Sequence, residues 1–284
     1  MTKKIAIVSD STSCLSEETL TEYGIFTSYL MIIFGENAYQ EFKEITPDEF
    51  VKKCNAQSEL PTTSQPSIGL TVELYENILA DGYDEIIHVT ISSGLSGSYQ
   101  SAVSAAEMVN ADKIHVFDSR TVAYPQGAFA IEASKLASKG TSSDEILTHL
   151  ESMKKDTQLY AAIYNLTNLK KGGRLGAVEA SLGSLLQVKP IVAIQENGKL
   201  EAAGKVRTFK KALAALVEKA KEANLTDEHE IGILHMANEE ALDHLRGELK
   251  AIYPNIKIHE LPLSLVVSVH AGEGACAVSW AKAL

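Results

Sequence analysis

The sequence predicts an α/β protein of two domains. Residues 1–156 are expected to form a parallel sheet flanked by helices, and residues 157–284 a mixed sheet with helices. The 284-residue chain is long for one domain and comfortable for two, and its 45% hydrophobic content can fill a core in each. Strand-like and helical patterns alternate in the first half, which favours a parallel sheet, whereas a hairpin signal in the second half favours a mixed one.

The first half supplies strand and helix patterns in turn. Its strand candidates are short apolar runs at 5–8, 25–34, 84–90 and 113–119. Helical patterns lie between and after them, at 16–24, 45–57, 68–82, 96–110, 125–140 and from 142 onward. This spacing is typical of strands that are joined by helical crossovers.

Start and stop signals support several of these helices. Thr46 precedes Pro47 and two acids, as an N-cap residue does before a first helical turn. Ser142 and Glu145 have the spacing of a capping box, and Gly24 is placed to end the first helix.

The second half begins with a strand and ends with two crossover units. After the strand at 158–165, the small-residue-rich segment 166–187 suggests two short helices, and Asn197-Gly198 predicts a hairpin turn within 188–208. A helix, strand, helix and strand follow at 208–224, 230–237, 238–253 and 256–263, before a tail from 266 to 284.

Composition excludes several classes of protein. The 37 Asp and Glu residues exceed the 26 Lys and Arg residues, and a net charge of −11 disfavours nucleic acid and anionic membrane surfaces as partners. Cys14, Cys54 and Cys276 are far apart in the sequence, which argues against disulfides and zinc and favours a cytoplasmic location. The N-terminus lacks the apolar core of a signal peptide, and no apolar run reaches the length of a membrane span.

Hydroxyl-rich loops follow or precede the predicted elements at one edge of the first sheet. They are SDSTS (9–13), TTSQPS (62–67) and SSGLSGS (92–98), with FDSR (117–120) as a possible addition. At the carboxyl ends of parallel strands, such hydroxyls and exposed amides favour an anionic ligand. Helix capping is the alternative for each loop, and the hydroxyl count exceeds the needs of capping in the second and third loops.

Known catalytic signatures do not fit these loops. The chain has no G-K-[ST] phosphate loop and no G-x-G-x-x-G, and residues 94–98 place the second glycine one position too early for a nucleophile elbow. Neither H-E-x-x-H nor a carboxylate cluster indicates a metal. The sequence therefore predicts an anion site with no metal and no cofactor.

His270 and two basic segments are further candidates. His270 stands in an apolar stretch before a Gly-x-Gly turn, where it could meet a ligand or be a satisfied core residue. LKKGGRLG contains Arg174, and GKVRTFKK contains Arg207. Each segment could be a solvated face or could contact an acidic partner or a phosphoryl group.

In combination these segments resemble the DegV family of bacterial fatty-acid-binding proteins. The resemblance extends from residue 5 to about 280 and rests on collinear motifs: IAIVSDSTS, PTTSQPSIG, ISSGLSGSYQSA, VFDSRTVAYPQG, NLKKGGRLG, KVRTFKKAL and HAGEGACAVSW. The functional relatives that the resemblance suggests are the FakB-type subunits of fatty acid kinase.

The resemblance implies a non-enzymatic, lipid-binding role. A long-chain fatty acid such as palmitate or oleate would lie in a tunnel between the domains, with its carboxylate held by Thr62 or Thr63, Ser92 or Ser93, and His270. The protein would present that carboxylate to an ATP-dependent, FakA-type kinase subunit, which makes acyl-phosphate for phospholipid synthesis. Arg174 and Arg207 would lie near the docking face, and membrane contact would be transient only.

Two other functions remain open at this point. Ser93 with His270 could form the nucleophile and base of a serine hydrolase or esterase acting on acyl substrates. The same anion loops could instead bind a phosphosugar or another phosphate ester.

Overall fold

The predicted fold class is confirmed by a structure with one parallel and one mixed sheet. The structure is a computed structural model and describes residues 3–57, 59–164, 166–174, 178 and 188–282. Within these residues no helix is long and apolar enough to cross a membrane.

The N-terminal half is organised around a parallel sheet of order β2-β1-β6-β7. Its strands are β1 (Ile5–Asp10), β2 (Ile25–Ser28), β6 (Glu85–Thr90) and β7 (Ile114–Asp118). The helices around it are α1 (Glu17–Tyr23), α3 (Ile68–Ala80), α4 (Ser98–Val109), α5 (Tyr124–Ser138) and α6 (Ser143–Met153). Alternate residues of β1 pack into different clusters, Ile7 with α5 and α6 and Val8 with α3 and α4, so helices cover both faces.

A small antiparallel sheet of order β4-β3-β5 adjoins this core. It consists of β3 (Met31–Phe34), β4 (Asn37–Gln40) and β5 (Thr62–Ser64), with helix α2 (Pro47–Ala56) between the last two. The prediction of one strand over 25–34 is therefore wrong. The chain leaves the parallel sheet after Ser28 because the main chain of Leu30 bonds with the Ser11 hydroxyl and the Glu41 amide instead of a neighbouring strand of that sheet.

The C-terminal half forms a mixed sheet of order β10-β9-β8-β13-β11-β12. Its strands are β8 (Gln158–Ala162), β9 (Lys189–Ile194), β10 (Leu200–Val206), β11 (His229–His235), β12 (Ile258–Pro262) and β13 (Cys276–Lys282). Among the strand pairs described in this mixed sheet, only β11 and β12 are parallel. Helices α7 (Thr167–Lys171), α8 (Phe209–Glu222), α9 (Glu239–Ile252) and α10 (Leu265–Ala271) complete this half. The predicted tail is thus a helix followed by a strand in the interior of the sheet.

The local signals lie where the sequence placed them. Thr46 and Ser142 each form a capping box, with Glu49 and Glu145 respectively, and Gly24 ends α1 in the left-handed conformation. The predicted hairpin is formed by β9 and β10. Of the two short helices expected over 166–187, α7 is present, and the rest of that segment, Val178 apart, lies outside the described residues.

The strands of the parallel sheet lie within residues 5–118 and those of the mixed sheet within 158–282. The domains 1–156 and 157–284 stay a proposal that agrees with this distribution.

Candidate functional site

An apolar cavity lies between residues of the two halves of the chain. Together with its mouth it contains about 990 Å³ of empty space. Side chains from the N-terminal half include Leu30, Ile91 and Val122, and those from the mixed sheet include Leu159, Ala161, Val192, Ile194, Leu200 and Ala277. Helix α10 adds Val266, Val267 and Ala271. A wall of this composition suits a hydrocarbon ligand.

Two side chains from distant segments meet in the cavity wall. The Thr63 hydroxyl Oγ1 lies 2.7 Å from Nε2 of His270, although 207 positions separate them in the sequence. Thr63 is the middle residue of β5, which pairs with β3, and His270 lies in the last turn of α10. The small sheet and α10 therefore bring a hydroxyl and an imidazole to one place, as the resemblance implied for a carboxylate site.

His270 is neutral near pH 7. Burial, together with the positive charge of Arg174, lowers the pKa of the imidazole from 6.5 to about 4. Its Nδ1 is buried and has no hydrogen-bond partner within the described part of the chain. A neutral ring carries one N–H donor and no charge. It can therefore orient an anion by a hydrogen bond without adding a permanent positive charge.

Helix α7 fixes the other side of the imidazole. A Cβ atom on Gly172 would lie 2.2 Å from Nδ1 of His270, so only glycine fits at this position. The Asn168 side chain donates to the Val269 carbonyl at 2.9 Å and ties α7 to α10. The GGR segment therefore contributes shape to the site as well as charge.

Arg174 and Arg207 occupy different places. Arg174 is exposed but lines the cavity, where its guanidinium donates to the Leu95 carbonyl at 3.2 Å and to the Gly172 carbonyl at 2.7 Å. Arg207 is exposed between β10 and α8 and does not line the cavity. The structure thus brings Arg174, but not Arg207, to the Thr63–His270 pair.

Ser92 forms a hydrogen-bonded contact between the two halves of the chain. Its hydroxyl is buried and donates to the Gly198 carbonyl in the β9–β10 turn at 2.6 Å, while accepting from the Gly94 amide at 3.1 Å. A Cβ atom on Gly94 would lie 2.5 Å from the Gly198 carbonyl oxygen, and one on Gly198 would lie 2.3 Å from the Ser92 hydroxyl. We call this contact of Ser92, Gly94 and Gly198 the glycine clasp.

The remaining predicted hydroxyls do not face the cavity. Ser93 is exposed, and its amide and hydroxyl donate to the Asp118 carboxylate at 3.1 and 2.5 Å. Thr62 is exposed on the opposite side of β5 from Thr63, as strand alternation requires. Ser96, which the sequence did not single out, does line the cavity, and its hydroxyl lies 2.9 Å from that of Ser98.

The serine hydrolase hypothesis is not supported. The Ser93 hydroxyl bonds to Asp118, whereas the His270 imidazole bonds to Thr63. The hypothesis requires His270 as the base within hydrogen-bond reach of Ser93, and the two side chains bond to different partners instead.

Glu41 is a buried carboxylate that the sequence reading missed. It accepts from the Ser11 hydroxyl at 2.6 Å and from the Val266 amide at 3.0 Å, and thereby holds the first turn of α10, the helix that carries His270. Burial raises its pKa to about 7. Nothing in the run QEFKE distinguishes Glu41 from an exposed acid, because its burial depends on contacts distant in the sequence.

Comparisons with known proteins agree with this architecture. A family model described as an uncharacterised protein of the DegV family matches residues 4–283. A DegV domain-containing protein of Halalkalibacterium halodurans is 36% identical over 278 residues, which cover 98% of both chains.

Two solved structures are similar over nearly the whole chain. The crystal structure of DegV from Bacillus subtilis, described as a fatty acid binding protein, has a TM-score of 0.90 at 36% identity and covers 99% of each chain. A DegV family protein from Thermus thermophilus, described by its fatty acid binding, has a TM-score of 0.90 at 29% identity and covers 98% of this chain and 99% of its own. Because the family model matches residues 4–283 and a relative is 36% identical over 98% of both chains, the chain belongs to the DegV family.

Proposed function

We propose that this protein binds a long-chain fatty acid, with the acyl chain in the apolar cavity and the carboxylate at Thr63 and His270. The observation that carries the proposal is an apolar cavity with a neutral hydroxyl–imidazole pair in its wall. The fatty acid binding described for the relatives from Bacillus subtilis and Thermus thermophilus supports it.

The two parts of the site have different tasks. Burial of about 0.8 kcal/mol per CH₂ would give a 16-carbon chain on the order of 10 kcal/mol before the costs of binding. A carboxylate must keep its hydrogen bonds when it leaves water. The Thr63 hydroxyl can donate to it while Nε2–H of a neutral His270 donates to Thr63, or both can donate to it once their mutual bond opens. The acyl chain therefore supplies affinity and the polar pair supplies orientation, with Arg174 close enough to attract the anion.

The proposal that the carboxylate is bound has less structural support at Thr62, Ser92 and Ser93. Ser93 could reach the carboxylate only by exchanging its bond with Asp118, and Ser92 only by opening the glycine clasp. Thr62 lies on the other face of its strand.

We further propose that the bound acid is presented to a separate ATP-dependent kinase subunit that phosphorylates the carboxylate. The exposed guanidinium of Arg174 beside the cavity and the exposed Arg207 support this docking face, together with the FakB-type pattern of the sequence. A partner bound there would have direct access to the carboxylate.

Bound lipid is the decisive measurement. The protein is purified without added lipid, extracted, and analysed by mass spectrometry, and we expect long-chain fatty acid in a one-to-one ratio. An empty protein that also fails to take up palmitate or oleate would contradict fatty acid binding. Acyl-phosphate formation with a purified kinase subunit and ATP then tests presentation, and no product from a loaded protein would contradict the kinase role alone.

A further inference from the structure

A second, polar cleft lies directly behind part of the cavity wall. It contains about 990 Å³ of empty space with its opening. The residues around it include Arg120, Thr121, Glu151, Lys154, Lys155, Gln158, Gln195 and Glu196. Charges of both signs line this cleft, in contrast to the apolar cavity.

Neighbouring residues of the chain face the cavity and the cleft in turn. Leu159 of β8 lines the cavity, whereas Gln158 lines the cleft. In the loop before α5, Val122 lines the cavity, whereas Thr121 lines the cleft. The partition is therefore about one residue thick, with apolar side chains on one side and polar ones on the other.

Ile194 is the residue of this partition that the cavity and the cleft share. Among the residues that the structure describes, it alone lines both the cavity and the cleft. It is 4% exposed, ends strand β9, and pairs with Leu200, which also lines the cavity. Truncation of Ile194 is therefore the single change that we expect to open the partition.

The residues that line the cleft include one with an unused hydrogen-bonding group. Thr121 is 5% exposed, and its hydroxyl has no hydrogen-bond partner among the residues that the structure describes. The side chain of Arg120 reaches the Glu196 carbonyl only at 3.5 Å. A hydroxyl on a bound chain would find partners in the cleft, whereas in the apolar cavity it would be left unsatisfied.

We propose that Ile194 is a specificity-determining residue that separates the acyl cavity from the polar cleft and restricts the ligand to unsubstituted hydrocarbon chains. The inference rests on the proposed fatty acid binding and names its substrate class. Fatty acids with a hydroxyl along the chain are excluded because the partition keeps that hydroxyl from the polar groups of the cleft.

Competition binding tests this inference with palmitate and a series of hydroxypalmitates, in which the hydroxyl moves from carbon 8 to carbon 16. The wild-type protein is expected to bind every hydroxypalmitate at least about tenfold more weakly than palmitate, since the hydroxyl loses its water without gaining a partner. In I194A, at least one member of the series should gain about fivefold relative to palmitate. In the double variant I194A/T121V that gain should shrink, because the Thr121 hydroxyl is gone.

V192A is the matched control. Val192 is a neighbouring β9 residue that lines the cavity but not the cleft, so its truncation also enlarges the cavity without opening the partition. A gain for I194A that V192A does not share supports the proposal. Equal profiles for the two variants, or a wild-type protein that binds a hydroxypalmitate as well as palmitate, would overturn it. A wild-type protein that binds no palmitate contradicts fatty acid binding itself, and unfolding midpoints show whether each variant is folded.

Discussion

The two hydroxyl-rich segments at 62–64 and 92–98 look equivalent in the sequence and differ in the structure. In the first, strand β5 turns Thr63 into the cavity and against His270, and leaves Thr62 outside. In the second, Ser92 and Ser93 are occupied by Gly198 and Asp118. Hydroxyl content thus indicates that hydrogen bonds form, but the neighbouring elements decide whether a ligand can have them.

The difference has a geometric origin. A three-residue strand alternates its side chains by rule, so one of two adjacent threonines must face inward. Residues 92–97 form a loop between β6 and the first residue of α4, so no strand alternation fixes the direction of its side chains. Ser92 bonds to a carbonyl of the C-terminal half, and Ser93 bonds to Asp118 at the end of β7. The comparison predicts different results for substitutions that are chemically alike.

The largest effect is expected at Thr63. T63V should weaken palmitate binding about tenfold, since the carboxylate loses a hydroxyl donor that valine cannot replace. T62V changes the adjacent residue by the same atoms and should leave the dissociation constant within about twofold. Isothermal titration with palmitate measures both, and equal losses for the two variants would remove the distinction between the faces of β5.

The second comparison is Ser92 against Ser93. S92A should lower the free energy of unfolding by about 1–3 kcal/mol, because the buried Gly198 carbonyl loses its donor. S93A, at an exposed site, should change it by no more than about 0.5 kcal/mol. Urea unfolding at fixed pH measures both values.

Palmitate binding by S93A extends this test. Unchanged affinity is expected if Ser93 stays on Asp118. A loss as large as that of T63V would show that Ser93 exchanges partners and contacts the carboxylate.

The third prediction concerns the protonation of His270. Its pKa, lowered by burial to about 4, should rise by about one unit or more when palmitate binds, because a nearby anion favours the protonated ring. NMR titration of labelled imidazole signals with and without palmitate measures the shift. A pKa that does not respond to palmitate would place the carboxylate away from His270.

The lowered pKa of His270 also makes the free energy of unfolding depend on pH. As the pH falls, the unfolded chain takes up the proton near 6.5 and the folded chain only near 4. The contribution of neutral His270 to stability is therefore present above pH 6.5 and is lost as the pH falls toward 4. H270Q should lose less of its stability than the wild type over this interval.

The smallest effect is expected for the arginines. R174A should weaken palmitate binding by about two- to fivefold, because the guanidinium is exposed and largely screened by solvent. R207A should not change it, since Arg207 does not line the cavity. Both should lower acyl-phosphate formation with the kinase subunit. An R174A protein with full affinity would restrict Arg174 to docking.

Sequence patterns predicted the fold well where the signals are local. The capping boxes at Thr46 and Ser142 and the turn at Asn197-Gly198 depend on a few adjacent residues and lie where expected. The break at Leu30 and the interior position of β13 depend on partners elsewhere in the chain, and periodicity carries no information about them.

The site shows the same limit. Thr63 and His270 are 207 positions apart, and only the family resemblance connected them before the structure did. The sequence around Ser93 does not predict Asp118 as its hydrogen-bond partner. Glu41 resembles its exposed neighbours in sequence, so its burial could not be predicted either.

The glycine clasp has a consequence for how relatives of this protein should be compared. Ser92 bonds to a main-chain carbonyl, which every residue type would offer, so chemistry does not restrict position 198. Space does, because a single added carbon at 94 or at 198 would collide with the opposing segment, and the left-handed φ of +76° at Gly198 also favours glycine there. The two positions should therefore vary together in an alignment. A relative that loses one glycine should have a wider gap between its halves and a compensating change at the other position. This covariation would report the spacing of the two halves without reference to any ligand.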